Sequence, residues 1–187
     1  FFLPYIFSWV AVGYIWKWLY NPYEYGGLLS YTLSSLGLTS PNFLGDPNWA
    51  MFSVVVMSVW RGVGYLFIVY LAGLQEIPES YYEQAQIDGA SRFERFRHIT
   101  IPLIASTNVY VFVISVINGF QVFTQVFVLT GGGPMQSTKV LAQYIYESAF
   151  RNFRVGYASS MSVVLLVIMF IVTQIPYRYF KSKEIRY

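Results

Sequence analysis

Four stretches of this chain, near residues 1–20, 50–74, 103–130 and 157–177, are apolar over the length a helix needs to cross a membrane. Spanning about 30 Å of hydrocarbon at about 1.5 Å per residue takes about 20 residues. Lipid offers no hydrogen-bonding partner, so a chain placed there must satisfy its own backbone as helix. Composition points the same way: 56% of the 187 residues are hydrophobic and 11% are charged, against about 25% charged in an ordinary soluble domain. The expected fold is all-α, a polytopic transmembrane helix bundle, with 1–187 forming a single membrane domain in contact with lipid. The lack of cysteine excludes a disulfide framework and cysteine-rich metal sites. A formal charge of +3, thinly spread, does not suggest nucleic acid as a partner.

The first stretch is apolar from Phe1 onward, with no basic residues ahead of it, and so lacks the layout of a signal peptide. The chain is expected to start within a span, earlier spans being missing. Trp16, Trp18 and Tyr20 close that stretch with side chains that favour the hydrocarbon–water boundary. The loop 21–49 is broken by Gly26, Gly27, Gly37, Pro41, Gly45 and Pro47 and carries Glu24 and Asp46 without a basic residue, as an outside loop would. Segment 75–102 holds Arg92, Arg95, Arg97 and His98, and the tail holds Arg178, Lys181, Lys183 and Arg186. Lys17, Lys139, Arg151 and Arg154 fall on the opposite side. Seven Lys or Arg residues against four place segment 75–102 and the C-terminus in the cytoplasm.

Segment 75–102 is patterned as helix, turn, helix. Glu76, Pro78 and Glu79 suit a helix start, since proline fits the first turn and acidic groups favour the positive helix end. Asp88-Gly89 ends that helix, and Ser91 with Glu94 has capping-box spacing for the next. Phe93, Phe96 and Ile99 or Thr100 recur at helical spacing, while Arg92, Arg95 and His98 fall elsewhere. Small residues at Ala85, Gly89 and Ala90 would let another backbone approach. Periodicity alone fits equally a knob gripped by a partner protein and a helix lying on lipid headgroups.

The same residues carry a resemblance. Glu83-Gln84-Ala85, three residues, Gly89, nine residues, then Ile99-Thr100-Ile101-Pro102 is similar to the E-A-A…G…I-x-L-P signature of ABC importer permeases, with Gln84 in place of Ala and Ile101 in place of Leu. Leu71-Ala72-Gly73-Leu74-Gln75, Ile87-Asp88-Gly89-Ala90-Ser91 and Leu129-Thr130-Gly131-Gly132-Gly133-Pro134 resemble phrases of the carbohydrate-uptake branch. So do Leu3-Pro4-Tyr5, Gly156-Tyr157-Ala158 and Tyr144-Ile145-Tyr146-Glu147-Ser148-Ala149-Phe150, the last shared with maltose-type and glycerol-phosphate-type permeases. The resemblance implies a type I importer permease fold in a bacterial or archaeal plasma membrane, with Glu83, Gln84, Ala85, Asp88, Gly89 and Ala90 forming a coupling helix seated on a cytoplasmic ATPase. It further implies a second permease subunit, two ATPase subunits that bind the ATP, and an external solute-binding protein, with no cofactor on this chain. Sugar, oligosaccharide foremost, is the implied cargo; glycerol phosphate or another small polar solute is the alternative.

Two features inside the spans bear on that cargo. Arg61 lies about 17 Å along a helix from Ala50, near mid-bilayer, where an ionisable group avoids lipid. It either lines the pathway or bonds backbone carbonyls or a partner subunit. Ser115, Asn118, Gln121 and Gln125, spaced three, three and four apart, would occupy one side of a continuous helix. Such a stripe can bind sugar hydroxyls, with Phe120 and Phe123 stacking on the rings, or can join helices. Gly131-Gly132-Gly133-Pro134 lacks the Lys-Ser/Thr of a phosphate loop and reads as a turn. Met51, Met57, Met161 and Met169 read as lipid-facing or packing residues and not as ligands. A membrane-embedded enzyme using Glu83, Asp88 and His98 is a remote alternative: no nucleophile accompanies them, and a lone histidine provides no usual zinc site.

Overall fold

The computed structural model describes residues 2–181, which are helical with turns between and contain no strand. The side chains of Arg178, Lys181, Lys183 and Arg186, expected to mark the cytoplasmic tail, lie outside the described part. The described residues group into two compact units, one made of the chain up to Gly64 with Phe120–Leu165, the other of Tyr65–Gly119 with the chain from Leu166 on. Where a single bundle is expected, two of the three divisions therefore fall inside long helices, and no linker separates the units.

Helix α1 (Leu3–Ile6) is separated from α2 (Trp9–Leu19) by Phe7 and Ser8, both extended. The stretch near 1–20 is thus not the continuous span its apolarity suggests. Its interruption has a local cause: Ser8 turns its Oγ to the Ala11 N–H at 3.2 Å, which starts α2 afresh with an N-cap. Eleven residues make α2 only about 16 Å long. After a 3₁₀ turn at Tyr23–Tyr25 and α3 (Leu28–Ser35), the long α4 (Pro47–Gln75) begins. Asp46 caps it, its Oδ1 accepting from the Asn48 N–H at 2.9 Å. Twenty-nine residues give α4 about 44 Å, more than enough to cross.

Segment 75–102 folds as α5 (Glu79–Ile87), α6 (Arg92–Arg95), a π-helical turn at Phe96–Thr100 and α7 (Ile101–Leu103). Helix α8 (Ala105–Phe120) follows at a bend of 64° to the preceding helical run. The expected span near 103–130 is not one helix either. It stops at Phe120 and resumes as α9 (Thr124–Leu129), beside Gly119, whose backbone freedom weakens a helix. Helix α10 (Leu141–Tyr146) runs into a π-helical turn at Glu147–Arg151, and α11 (Val155–Lys181) closes the described chain. Among the described residues, Pro47–Gln75 and Val155–Gln174 are each long and apolar enough to cross a membrane, and the bent pair Arg92–Leu103 and Ala105–Phe120 makes a third if it acts as one span.

The core of the first unit joins α2, α4 and α9 through Val12, Tyr20, Val54, Met57, Val126 and Leu129. Buried hydroxyls there are satisfied rather than left in apolar surroundings: Tyr20 donates to Ser53 O at 3.0 Å, and Ser53 donates to Phe43 O at 2.9 Å. Helices α2 and α9 meet at Gly13, where an added Cβ would sit 2.7 Å from Val128 Cγ1. In the second unit Gly73 plays the same part between α4 and α8, since an added Cβ would collide with Thr107 Oγ1. Each glycine lets two helices approach more closely than a methyl group allows.

Candidate coupling loop and solute pathway

The loop is built from two caps set back to back. Helix α5 ends at Gly89, whose φ of +81° lies in the left-handed region. Ala90 N donates to Ala85 O at 2.9 Å, and Gly89 N to Gln86 O at 3.1 Å, the paired bonds of a Schellman motif. Two residues later Ser91 opens α6 with a complete capping box: Glu94 N donates to Ser91 Oγ at 3.3 Å, and Ser91 N donates to Glu94 Oε2 at 2.7 Å. These bonds from Ser91 hold the Glu94 carboxyl below its ordinary value.

Two side-chain bonds then fix the angle between the helices. Tyr82 OH meets Thr100 Oγ1 at 2.9 Å, and Arg95 Nη1 donates to Gln86 Oε1 at 3.3 Å. Glu83, Gln84, Asp88 and Gly89 are exposed, and Ala85 and Ala90 half-buried. Apolar Ile87 and Phe93 stand out beside them, 85% and 68% exposed. The result is a preorganised helical corner on which Ile87 and Phe93 are left uncovered by this chain. The expected turn and capping box are present, whereas the apolar face of α6 is not buried within this chain.

Arg61 is nearly buried in the first unit. Its Nη2 donates to Tyr5 O at 2.9 Å and to Phe7 O at 2.8 Å, and its Nε to Phe7 O at 3.1 Å. Its guanidinium carbon lies 4.0 Å from the ring centre of Trp9 and 5.0 Å from that of Tyr5. Of the roles open from the sequence, backbone bonding is the one these contacts display.

The polar stripe is divided. Ser115 and Asn118 lie on α8 in the second unit and are exposed; Gln121 falls in the break; Gln125 lies on α9 in the first unit. Spacing on one helix no longer groups all four, because the helix ends before Gln121. Gln125 is 7% exposed, and its Oε1 accepts from the Phe123 N–H at 3.3 Å, just ahead of α9. Phe123 stacks on Phe127 at 5.4 Å and lies 5.1 Å from the ring of Tyr146.

Two polar features escape sequence reading. Tyr65 OH and Tyr110 OH meet at 2.5 Å between α4 and α8. A tyrosine in each of two apolar stretches was visible, but not their pairing. In the first unit, Lys139 Nζ lies 2.6 Å and Arg151 Nη1 3.7 Å from the Glu147 carboxylate. Gln143 donates to both Gly131 O and Glu147 Oε1, at 2.8 and 3.1 Å, closing a clasp over the triple-glycine turn. Among the described residues no group of three or more His, Asp or Glu side chains is placed to hold a metal.

Sequence comparison gives the class, an inner-membrane component of a transport system. Residues 1–185 match the family described as binding-protein-dependent transport system inner membrane component, and the chain belongs to that family. It is similar to YurN of Bacillus subtilis, named as a probable ABC transporter permease protein, at 36% identity over 97% of this chain and 62% of that protein. Similarity to the sn-glycerol-3-phosphate transport system permease protein UgpA of Agrobacterium fabrum is also 36%, over 99% of this chain and 62% of that one. The trehalose/maltose transport system permease protein MalF of Thermococcus litoralis is 40% identical over 83% of this chain and 52% of its own length. The chain thus spans less than two thirds of these relatives. A solved bacterial ABC transporter involved in import of the acidic polysaccharide alginate superposes with a TM-score of 0.86 at 27% identity, over 97% of this chain and 63% of that one.

Proposed function

We propose that this chain is part of the permease subunit of an ATP-driven importer for sugars, oligosaccharides foremost, and that it transmits work from a cytoplasmic ATPase without catalysing a reaction itself. The observation that carries the reading is the exposed corner Glu83–Ala90, whose Schellman and capping-box bonds hold it rigid while its apolar residues remain uncovered. A rigid lever can pass on the closing motion of an ATPase pair; a floppy loop would absorb it. ATP is bound by two partner ATPase subunits, a second permease subunit completes the pathway, and an external solute-binding protein delivers cargo. A solved structure of the alginate transporter in complex with an alginate pentasaccharide-bound periplasmic protein supports that last partner. The chain lies in a bacterial or archaeal plasma membrane with its C-terminus in the cytoplasm.

Ser115 and Asn118, exposed on α8, are the pathway residues this reading favours. Gln121 and Gln125, in the first unit, are pathway candidates by their polar character within an apolar stretch. Glycerol phosphate remains the second cargo, favoured by the likeness to the glycerol-phosphate permease. The test is co-purification of the full-length protein with its partner subunits. An ATPase should accompany the intact protein and be lost on Gly89→Pro; an intact protein that brings down no ATPase overturns the reading. Asn118→Ala should alter uptake at limiting sugar, and unchanged uptake removes it from the pathway.

A further inference from the structure

The break between α1 and α2 strips two carbonyls of their helical donors. In a continuous helix Tyr5 O would accept from the Trp9 N–H, and Phe7 O from the Ala11 N–H. Here Phe7 and Ser8 are extended, and the Ala11 N–H is taken by Ser8 Oγ. Carbonyls freed in an apolar stretch need replacement donors. One guanidinium supplies them to both, through the three bonds from Nε and Nη2. The rings of Trp9 and Tyr5, on either side of the break, lie against the same cation. Arg61 is 9% exposed, and it is the only charged residue in α4.

We propose that Arg61 is a positioning residue, a clamp that stabilises the interrupted helix against α4, and that it does not bind the transported solute. A planar fork can bridge two carbonyls and lie flat on a ring; the compact ammonium of lysine cannot do both. The clamp thus ties the break to the middle of α4.

The test uses the full-length importer in membrane vesicles with Arg61→Lys and Arg61→Leu. Its transport half rests on the importer reading; its exchange half does not. Hydrogen–deuterium exchange of a peptide covering residues 5–12 should rise severalfold in both variants. Uptake should fall in Vmax with KM unchanged, and Arg61→Lys should not rescue it. Unaltered exchange in Arg61→Lys overturns the clamp. So does an Arg61→Lys protein that transports normally while Arg61→Leu shows a raised KM, the pattern of a charge facing the solute. If Arg61→Leu does not reach the membrane, Arg61→Lys decides alone. If even the parent protein transports nothing, the importer reading fails while exchange still judges the clamp.

Discussion

Gly89 shows how one residue sets the shape of a loop. Its φ of +81° is open to glycine, and an added Cβ would meet nothing within 4 Å, so substitution is opposed by the backbone alone. Gly89→Ala should cost about 1–2 kcal/mol, and Gly89→Asn less, because Asn tolerates that region. Exchange across residues 79–95 should rank the three accordingly, and equal protection would contradict a strained turn. Glu147 is the other telling residue. A hydrogen bond from Lys139 leads in holding its carboxyl below the ordinary value, with help from Gln143 and Arg151. A lowered folded pKa means that the clasp's contribution is complete above the ordinary carboxylate value and is lost as pH falls through the folded one. Proteolysis within 131–154 should therefore accelerate on acidification through that range, and Glu147→Gln should flatten the dependence.

Among the elements, glycine at a helix contact decides more than apolarity does. Gly13 against Val128 and Gly73 against Thr107 leave no room for a methyl group. Gly13→Ala and Gly73→Ala should each cost about 1–3 kcal/mol through overpacking. Thermal unfolding in detergent would measure this, and Val128→Ala should restore much of the loss in Gly13→Ala but none in Gly73→Ala. The interrupted helices show the limit of pattern reading. Apolar runs near 1–20 and 103–130 look continuous, yet Ser8 caps a new helix in the first and α8 stops at Phe120 in the second. Whether such a side chain bonds to its own backbone or to a neighbouring helix is not a property of periodicity. For that reason the stripe from Ser115 to Gln125, sound on one helix, divides when the helix breaks.

For the whole molecule, the basic residues and the exposed corner make a joint prediction. A reporter fused to the C-terminus should be active in the cytoplasm, and Ile87→Ser with Phe93→Ser should lose the ATPase while the subunit still inserts. An external reporter signal would reverse the orientation, and retained ATPase would remove those two side chains from the interface. Lipid solubility, helicity and the helix–turn–helix of segment 75–102 follow from the sequence, because they depend on local quantities: run length, caps, and a glycine where the backbone turns left-handed. Membership of a permease family was legible for the same reason, since its signature is a contiguous phrase from Glu83 to Pro102. What Arg61 bonds to and that Tyr65 meets Tyr110 were decided by tertiary structure. Each depends on which donor reaches a particular carbonyl or hydroxyl across 45 to 56 residues of chain, and no local pattern encodes that encounter.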